Sequence, residues 1–117
     1  MTISTTPKAS LRTELTSRLF QVLADPTRLR IVELLLSGEK NVSKLVQLLG
    51  LQQGRVSTQL GCLRWCGFIQ TRREGKYVYY RIDDPRVCDL VKLAQALLAD
   101  HAGEVASCFR LSNEDAL

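Results

Sequence analysis

The chain has 117 residues, 45% apolar and 24% charged, with 16 Lys and Arg against 12 Asp and Glu for a net charge of +4. This composition excludes the disordered and fibrous classes and predicts one small domain with one modest core. No apolar run approaches the roughly 18 residues that span a bilayer, and Met1 to Ser10 lacks the apolar centre of a secretory signal, so the expected setting is cytoplasmic, without membrane contact.

Residues 1–10, rich in Ser and Thr, read as a flexible N-terminal arm. From Leu11, apolar side chains at Leu15, Leu19, Val22 and Leu23 keep helical spacing and predict a first helix. Asp25-Pro26 is a helix start, since Asp caps free amides and Pro suits the first helical position; the second helix is expected from Pro26 to about Leu36, with Ser37-Gly38 ending it. Its dense apolar set, including Leu29, Ile31, Val32 and Leu35, marks it as central. A third helix fits Val42 to Leu49, with Ser43 near its start, and Gly50 breaks it before a fourth from Gln52-Gln53 to about Trp65. Two short helices joined by a glycine-bearing turn are a helix-turn-helix candidate.

Gly67 should end the fourth helix. Phe68–Arg72 and Tyr77–Ile82, rich in β-branched and aromatic residues, then predict a hairpin around Arg73-Glu74-Gly75-Lys76. A fifth helix is expected from Pro85 to around Ala102, using Val87, Leu90, Val91, Leu93, Leu97 and Leu98. The fold class is therefore mainly α with a β-hairpin wing, a five-helix winged helix-turn-helix. Its domain should cover residues 11–105, followed by a C-terminal tail over 106–117.

Charge is distributed unevenly. Residues 53–81 carry six basic groups (Arg55, Arg64, Arg72, Arg73, Lys76, Arg81) and one acid, Glu74, whereas residues 82–117 carry three basic groups and seven acids. A basic middle on a helix-turn-helix points to double-stranded DNA, and the acidic end to another role, such as subunit pairing. The second helix of such a motif enters the major groove, so Gln53, Arg55, Ser57, Thr58 and Gln59 are the expected base-reading residues, with Val56, Leu60 and Leu63 facing inward. Arg64 adds a further basic group on that helix. Arg72, Arg73 and Lys76, expected at the hairpin tip, would contact phosphates or the minor groove. An enzyme is not expected, because the single histidine, His101, has no nucleophile-base constellation and no phosphate-cradling glycine loop is present.

The runs Leu23-Ala24-Asp25-Pro26-Thr27-Arg28-Leu29-Arg30-Ile31, Val56-Ser57-Thr58-Gln59-Leu60-Gly61-Cys62-Leu63-Arg64 and Arg73-Glu74-Gly75-Lys76-Tyr77-Val78-Tyr79-Tyr80 resemble the ArsR/SmtB family of metal-responsive winged-helix repressors. The resemblance spans about residues 11–108. It implies a homodimer that binds operator DNA, with the first and last helices forming much of the subunit interface.

Four cysteines in a reducing compartment are thiols, metal ligands or buried small side chains rather than structural disulfides. Cys62 and Cys66 lie one helical turn apart, so both thiols can reach one ion, and thiolates favour Cd(II), Pb(II), Hg(II) or Zn(II) over magnesium or calcium. Two ligands seldom suffice, and Cys108 is the natural third. The segment Cys62-Leu63-Arg64-Trp65-Cys66-Gly67 is similar to the cadmium/lead-sensing branch of the family, and that resemblance assigns Cys62, Cys66 and Cys108 as a trithiolate site. The family's cysteine pair at the third helix is missing from Val42-Ser43-Lys44-Leu45-Val46. A second, zinc-type site on the last helix is only partly matched by Asp84, His101 and Glu104, with Arg86 where a histidine is expected. Cys88, beside Val87, Leu90 and Val91, is expected to be a small buried side chain.

The resulting expectation is a repressor that binds operator DNA without metal and leaves it when a thiophilic ion binds. Two alternatives stay open: a thiol-based redox sensor on the same fold, and a zinc-stapled structural or interaction module.

Overall fold

The computed structural model describes residues 9–115, with side chains for residues 9–108. Its elements are α1 (Ala9–Ala24), α2 (Pro26–Leu35), β1 (Lys40–Asn41), α3 (Val42–Leu49), α4 (Gln53–Trp65), β2 (Gln70–Glu74), β3 (Tyr77–Arg81) and α5 (Pro85–Asp115). They divide after Asp83 into two compact units. The arm expected over residues 1–10 lies outside the described residues as far as residue 8; Ala9 and Ser10 already belong to α1.

In the first unit the helix ends follow local chemistry. The Asp25 carboxylate accepts from the Arg28 backbone N–H at 2.9 Å and Pro26 opens α2, as expected. At α3 the cap is Asn41, whose Oδ1 accepts from the Lys44 N–H at 2.9 Å. Gly50 closes that helix with φ +68°, a left-handed conformation that an L side chain adopts only at a cost, and its N–H donates to the Val46 carbonyl at 2.9 Å.

The core gathers around α2, α3 and α4: Ile31, Val32, Leu45, Val56, Leu60 and Leu63 are all 0% exposed. Burying each such side chain is worth about 1.5–3 kcal/mol, so this set holds the helix-turn-helix in place. Phe68 and Ile69, expected to begin the hairpin, are instead consecutive buried residues ahead of it. A hairpin with one solvated face alternates burial, and two neighbours that both turn inward do not fit that pattern.

β2 and β3 pair antiparallel from Gln70↔Arg81 to Glu74↔Tyr77, which shortens the turn to Gly75-Lys76, with Gly75 at φ +61°. The two-residue β1, unforeseen because it is too short to show alternation, adds to β3 through Lys40↔Tyr80 and Asn41↔Tyr79, giving the sheet order β1-β3-β2. This pairing ties the wing to the start of α3.

The second unit is α5. Its backbone leaves helical geometry at His101 (φ −129°, ψ 27°), close to the expected end near Ala102, and then continues as helix to Asp115. The segment expected as a tail is thus helical through Asp115, and Cys108 lies on that continuation. Val87 and Val91 are buried, whereas Leu93, Leu97, Leu98 and Val105 are exposed; on α1, Leu11, Leu15, Leu19 and Phe20 are likewise exposed. Each helix therefore presents an unpartnered apolar stripe, the kind of surface that marks an association face. Among the described residues no helix is long and apolar enough to cross a membrane.

Candidate nucleic-acid interface and thiol site

The turn Gly50-Leu51-Gln52 sets α4 after α3, and burial of Val56, Leu60 and Leu63 fixes which face of α4 remains free. Gln53, Arg55, Ser57, Thr58 and Arg64 are exposed, which makes their side chains available to a ligand. The Thr58 hydroxyl donates to the Gly54 carbonyl at 2.9 Å, leaving its lone pairs as acceptors. Gln59 departs from the expected outward role. It is half-buried, and its Oε1 accepts from Arg28 Nη1 at 3.0 Å, so only its amide N–H2 remains uncommitted by this bond.

On the wing, Arg73 and Lys76 are exposed, and the Lys76 ammonium lies 5.5 Å from the centre of the Tyr77 ring. Arg72 is not at the tip. It pairs in register with Tyr79, stacks 4.8 Å from that ring's centre, and donates to both carboxylate oxygens of Glu39 and to Glu74 Oε2 at 2.9 Å. The hydrogen bond from Arg72 is the main reason the Glu39 carboxyl is held below its ordinary value, while Glu39 and Glu74 push Arg72 up. Arg72 is thus a clamp between the segment before β1 and the wing. Glu39 lies 33 residues away in sequence, and no local spacing could have revealed it.

Cys62 is half-buried in the last turn of α4, and Cys66 is the exposed residue that caps it, its N–H donating to the Cys62 carbonyl at 3.1 Å. Partial desolvation raises the Cys66 thiol above its ordinary value, the neighbouring Cys62 adds to the rise, and the Arg28 guanidinium opposes it. Two soft donors therefore stand one turn apart at the end of the helix with the free polar face.

Arg28 is the residue sequence reasoning passed over. Its Nε donates to the Val22 carbonyl at 2.7 Å and its Nη2 to the Gln21 carbonyl at 3.4 Å, both in the last turn of α1.

In the second unit, Cys88 is half-buried and Cys108 exposed. Arg86 takes up the Asp84 carboxylate through Nη2 at 2.7 Å and through its backbone N–H at 2.9 Å, holding Asp84 at about 2. His101 Nδ1 lies 4.0 Å from Glu104 Oε1. Among the described residues no three Cys, His, Asp or Glu side chains gather closely enough to hold one ion.

Residues 25–71 match the family model for bacterial regulatory proteins of the arsR family. The chain is 46% identical over 99 residues to a "Probable mercury resistance operon repressor" of Streptomyces lividans, covering 85% of this chain and 79% of that protein. It is 40% identical over 90 residues to the HTH-type transcriptional regulator CmtR of Mycobacterium bovis, covering 76% of each. Among solved structures it resembles a homodimeric winged helix-turn-helix DNA-binding domain from Mycobacterium bovis, a possible ArsR-family transcriptional regulator. That match has a TM-score of 0.71 at 31% identity and covers 84% of this chain and 90% of that one. The chain belongs to the ArsR family of bacterial regulatory proteins as a DNA-binding transcriptional repressor rather than an enzyme.

Proposed function

We propose that this repressor is a cytoplasmic sensor of thiophilic metal, a homodimer that holds operator DNA when metal-free and leaves it when Cd(II), Pb(II) or Hg(II), or less favourably Zn(II), binds its thiolates. The observation that carries this reading is that Cys62 and Cys66 stand one turn apart at the end of α4, the Cys66 N–H bonded to the Cys62 carbonyl. Soft sulfur donors select soft ions, and one turn of helix brings both to a single centre. Cys108 supplies the third thiolate, from the same or the partner chain, since two ligands hold such ions poorly. The name of one relative, a probable mercury resistance operon repressor, supports a metal inducer. Asp84, His101 and Glu104 take no part, because Arg86 already neutralises Asp84.

In the DNA complex, Gln53, Arg55, Ser57 and Thr58 read base edges, and Arg64, Arg73 and Lys76 contact phosphates. Loading the thiol site at the end of the same helix changes how that helix sits. By linkage, DNA must weaken metal binding by the same factor, and a coupling of about 3 kcal/mol lowers operator affinity about 100-fold.

The test is an anaerobic titration with each metal in turn, following thiolate-to-metal absorption together with release of a duplex selected from a random pool by the metal-free protein. Metal-induced release that is lost in Cys62→Ser and Cys66→Ser and weakened in Cys108→Ser is the expected outcome. Release preserved in Cys62→Ser, or release only after oxidant, would sink the reading, the latter in favour of a redox switch.

A further inference from the structure

Gln59 stands on the flank of α4. Val56, Leu60 and Leu63 fill the inner face of that helix, Arg55, Ser57 and Thr58 are exposed on the outer one, and Gln59 is half-buried where the two meet. Among the described residues its side chain makes one hydrogen bond, accepting at Oε1 from Arg28 Nη1 at 3.0 Å. A guanidinium has only donors, so the amide is turned with its oxygen toward Arg28 and its N–H2 away from it. No buried polar side-chain atom of the described residues lacks a partner, and Gln59 Nε2 has none, so solvent reaches this N–H2. Arg28 is itself held in place. Its Nε donates to the Val22 carbonyl at 2.7 Å, its Nη2 to the Gln21 carbonyl at 3.4 Å and its backbone N–H to the Asp25 carboxylate at 2.9 Å.

We propose that Gln59 contacts the DNA backbone, donating from its amide N–H2 to a phosphate oxygen at the wall of the major groove, and that Arg28 is the positioning residue that fixes the amide for it. This rests on the reading of α4 as the helix that enters the groove. An adenine edge takes the oxygen and nitrogen of a glutamine side by side, and here the oxygen is turned to the guanidinium. A phosphate offers acceptors only, which is what an amide presenting only its N–H2 can use. Glutamine is a regular partner of phosphate oxygens, and such contacts set the register of a protein on the duplex without naming a base. By donating to Oε1 the guanidinium also polarises the amide and strengthens the donor at its other end.

The test uses the full metal-free chain and a duplex it selects from a random pool, with an uncharged methylphosphonate replacing each phosphate in turn. Gln59→Leu should weaken binding about 10-fold, to the selected duplex and to one of shuffled sequence alike. Gln59→Glu, which keeps an oxygen for Arg28 and sets a carboxylate against the phosphate, should weaken it further. At one phosphate of each half-site the replacement should cost wild type but neither Gln59→Leu nor Arg28→Met, since the contact is already gone. A purely structural Arg28 would instead lower affinity for every duplex and leave the pattern of sensitive phosphates unchanged. That result, or a change of base preference in Gln59→Leu with all phosphate sensitivities kept, overturns the proposal. If Arg28→Met does not melt cooperatively, the variants at Gln59 decide: Gln59→Glu should melt no lower than wild type and Gln59→Leu lower, and the reverse order overturns the anchor. Arg55→Ala separates the two readings. If it binds DNA worse while Gln59→Leu does not, the proposal alone fails; if neither loses affinity, the placement of α4 in the groove fails and takes the proposal with it.

Discussion

Leu60 offers the most direct test of how the reading helix is held. It is 0% exposed and lies on α4 between Gln59 and Gly61, its side chain on the face opposite the free polar groups. Leu60→Ala removes three buried carbons and leaves a cavity that the surrounding core fills only in part. Substitutions of this kind cost about 3 kcal/mol. Leu48 on α3, 44% exposed, is the matched control, and Leu48→Ala should stay within about 0.5 kcal/mol of the wild type. For a chain of this length the difference corresponds to about 12 °C in Tm.

Urea melts followed by circular dichroism, with all variants at one protomer concentration because pairing makes apparent stability concentration-dependent, give the comparison. The midpoint of Leu60→Ala should fall with its slope unchanged, so that the loss is one of stability and not of denatured-state compactness. If Leu60→Ala and Leu48→Ala melt together, the inner face of α4 is not what anchors it, and the division of that helix into a core face and a reading face fails.

Two further outcomes follow from local chemistry. Because the Glu39 carboxyl is held below its ordinary 4.5 by Arg72, the clamp contributes fully above that value and is lost as pH falls through the lowered one. Melts from about pH 6 to about pH 3 should therefore show a steeper acid loss in wild type than in Glu39→Gln, and equal slopes would refute the clamp. Among the glycines, Gly50→Ala forces a side chain into φ +68° and should destabilise by about 1 kcal/mol. Gly61→Ala, inside α4 with open space where its Cβ would stand, should stabilise by up to about 1 kcal/mol, and thermal melts giving both the same sign would refute the backbone argument.

What could be read in advance was what the chain encodes over one or two turns. Asp25-Pro26 announces α2 by cap and ring chemistry, Gly50 announces the break after α3, and the spacing of Val56, Leu60 and Leu63 sets the buried side of α4; the structure bears out each of these. The readings that shifted depend on partners distant in sequence. Arg72 looked like one more wing cation until Glu39 claimed it, and Gln59 looked like a base reader until Arg28 took its carbonyl oxygen from 31 residues away. The expected end of the fifth helix near Ala102 falls at the His101 kink, and a further helical run to Asp115 follows it.

The same contrast bears on function. The Cys62/Cys66 pair is legible because one helical turn joins it, but the bond from Arg28 to Gln59 spans 31 residues and no local spacing nominates it. Arg28 shows why this matters. A charge that serves two helices is inconspicuous in a run of ordinary helix-forming residues, yet its bonds to the Val22 carbonyl and to Gln59 tie the end of α1 to α4.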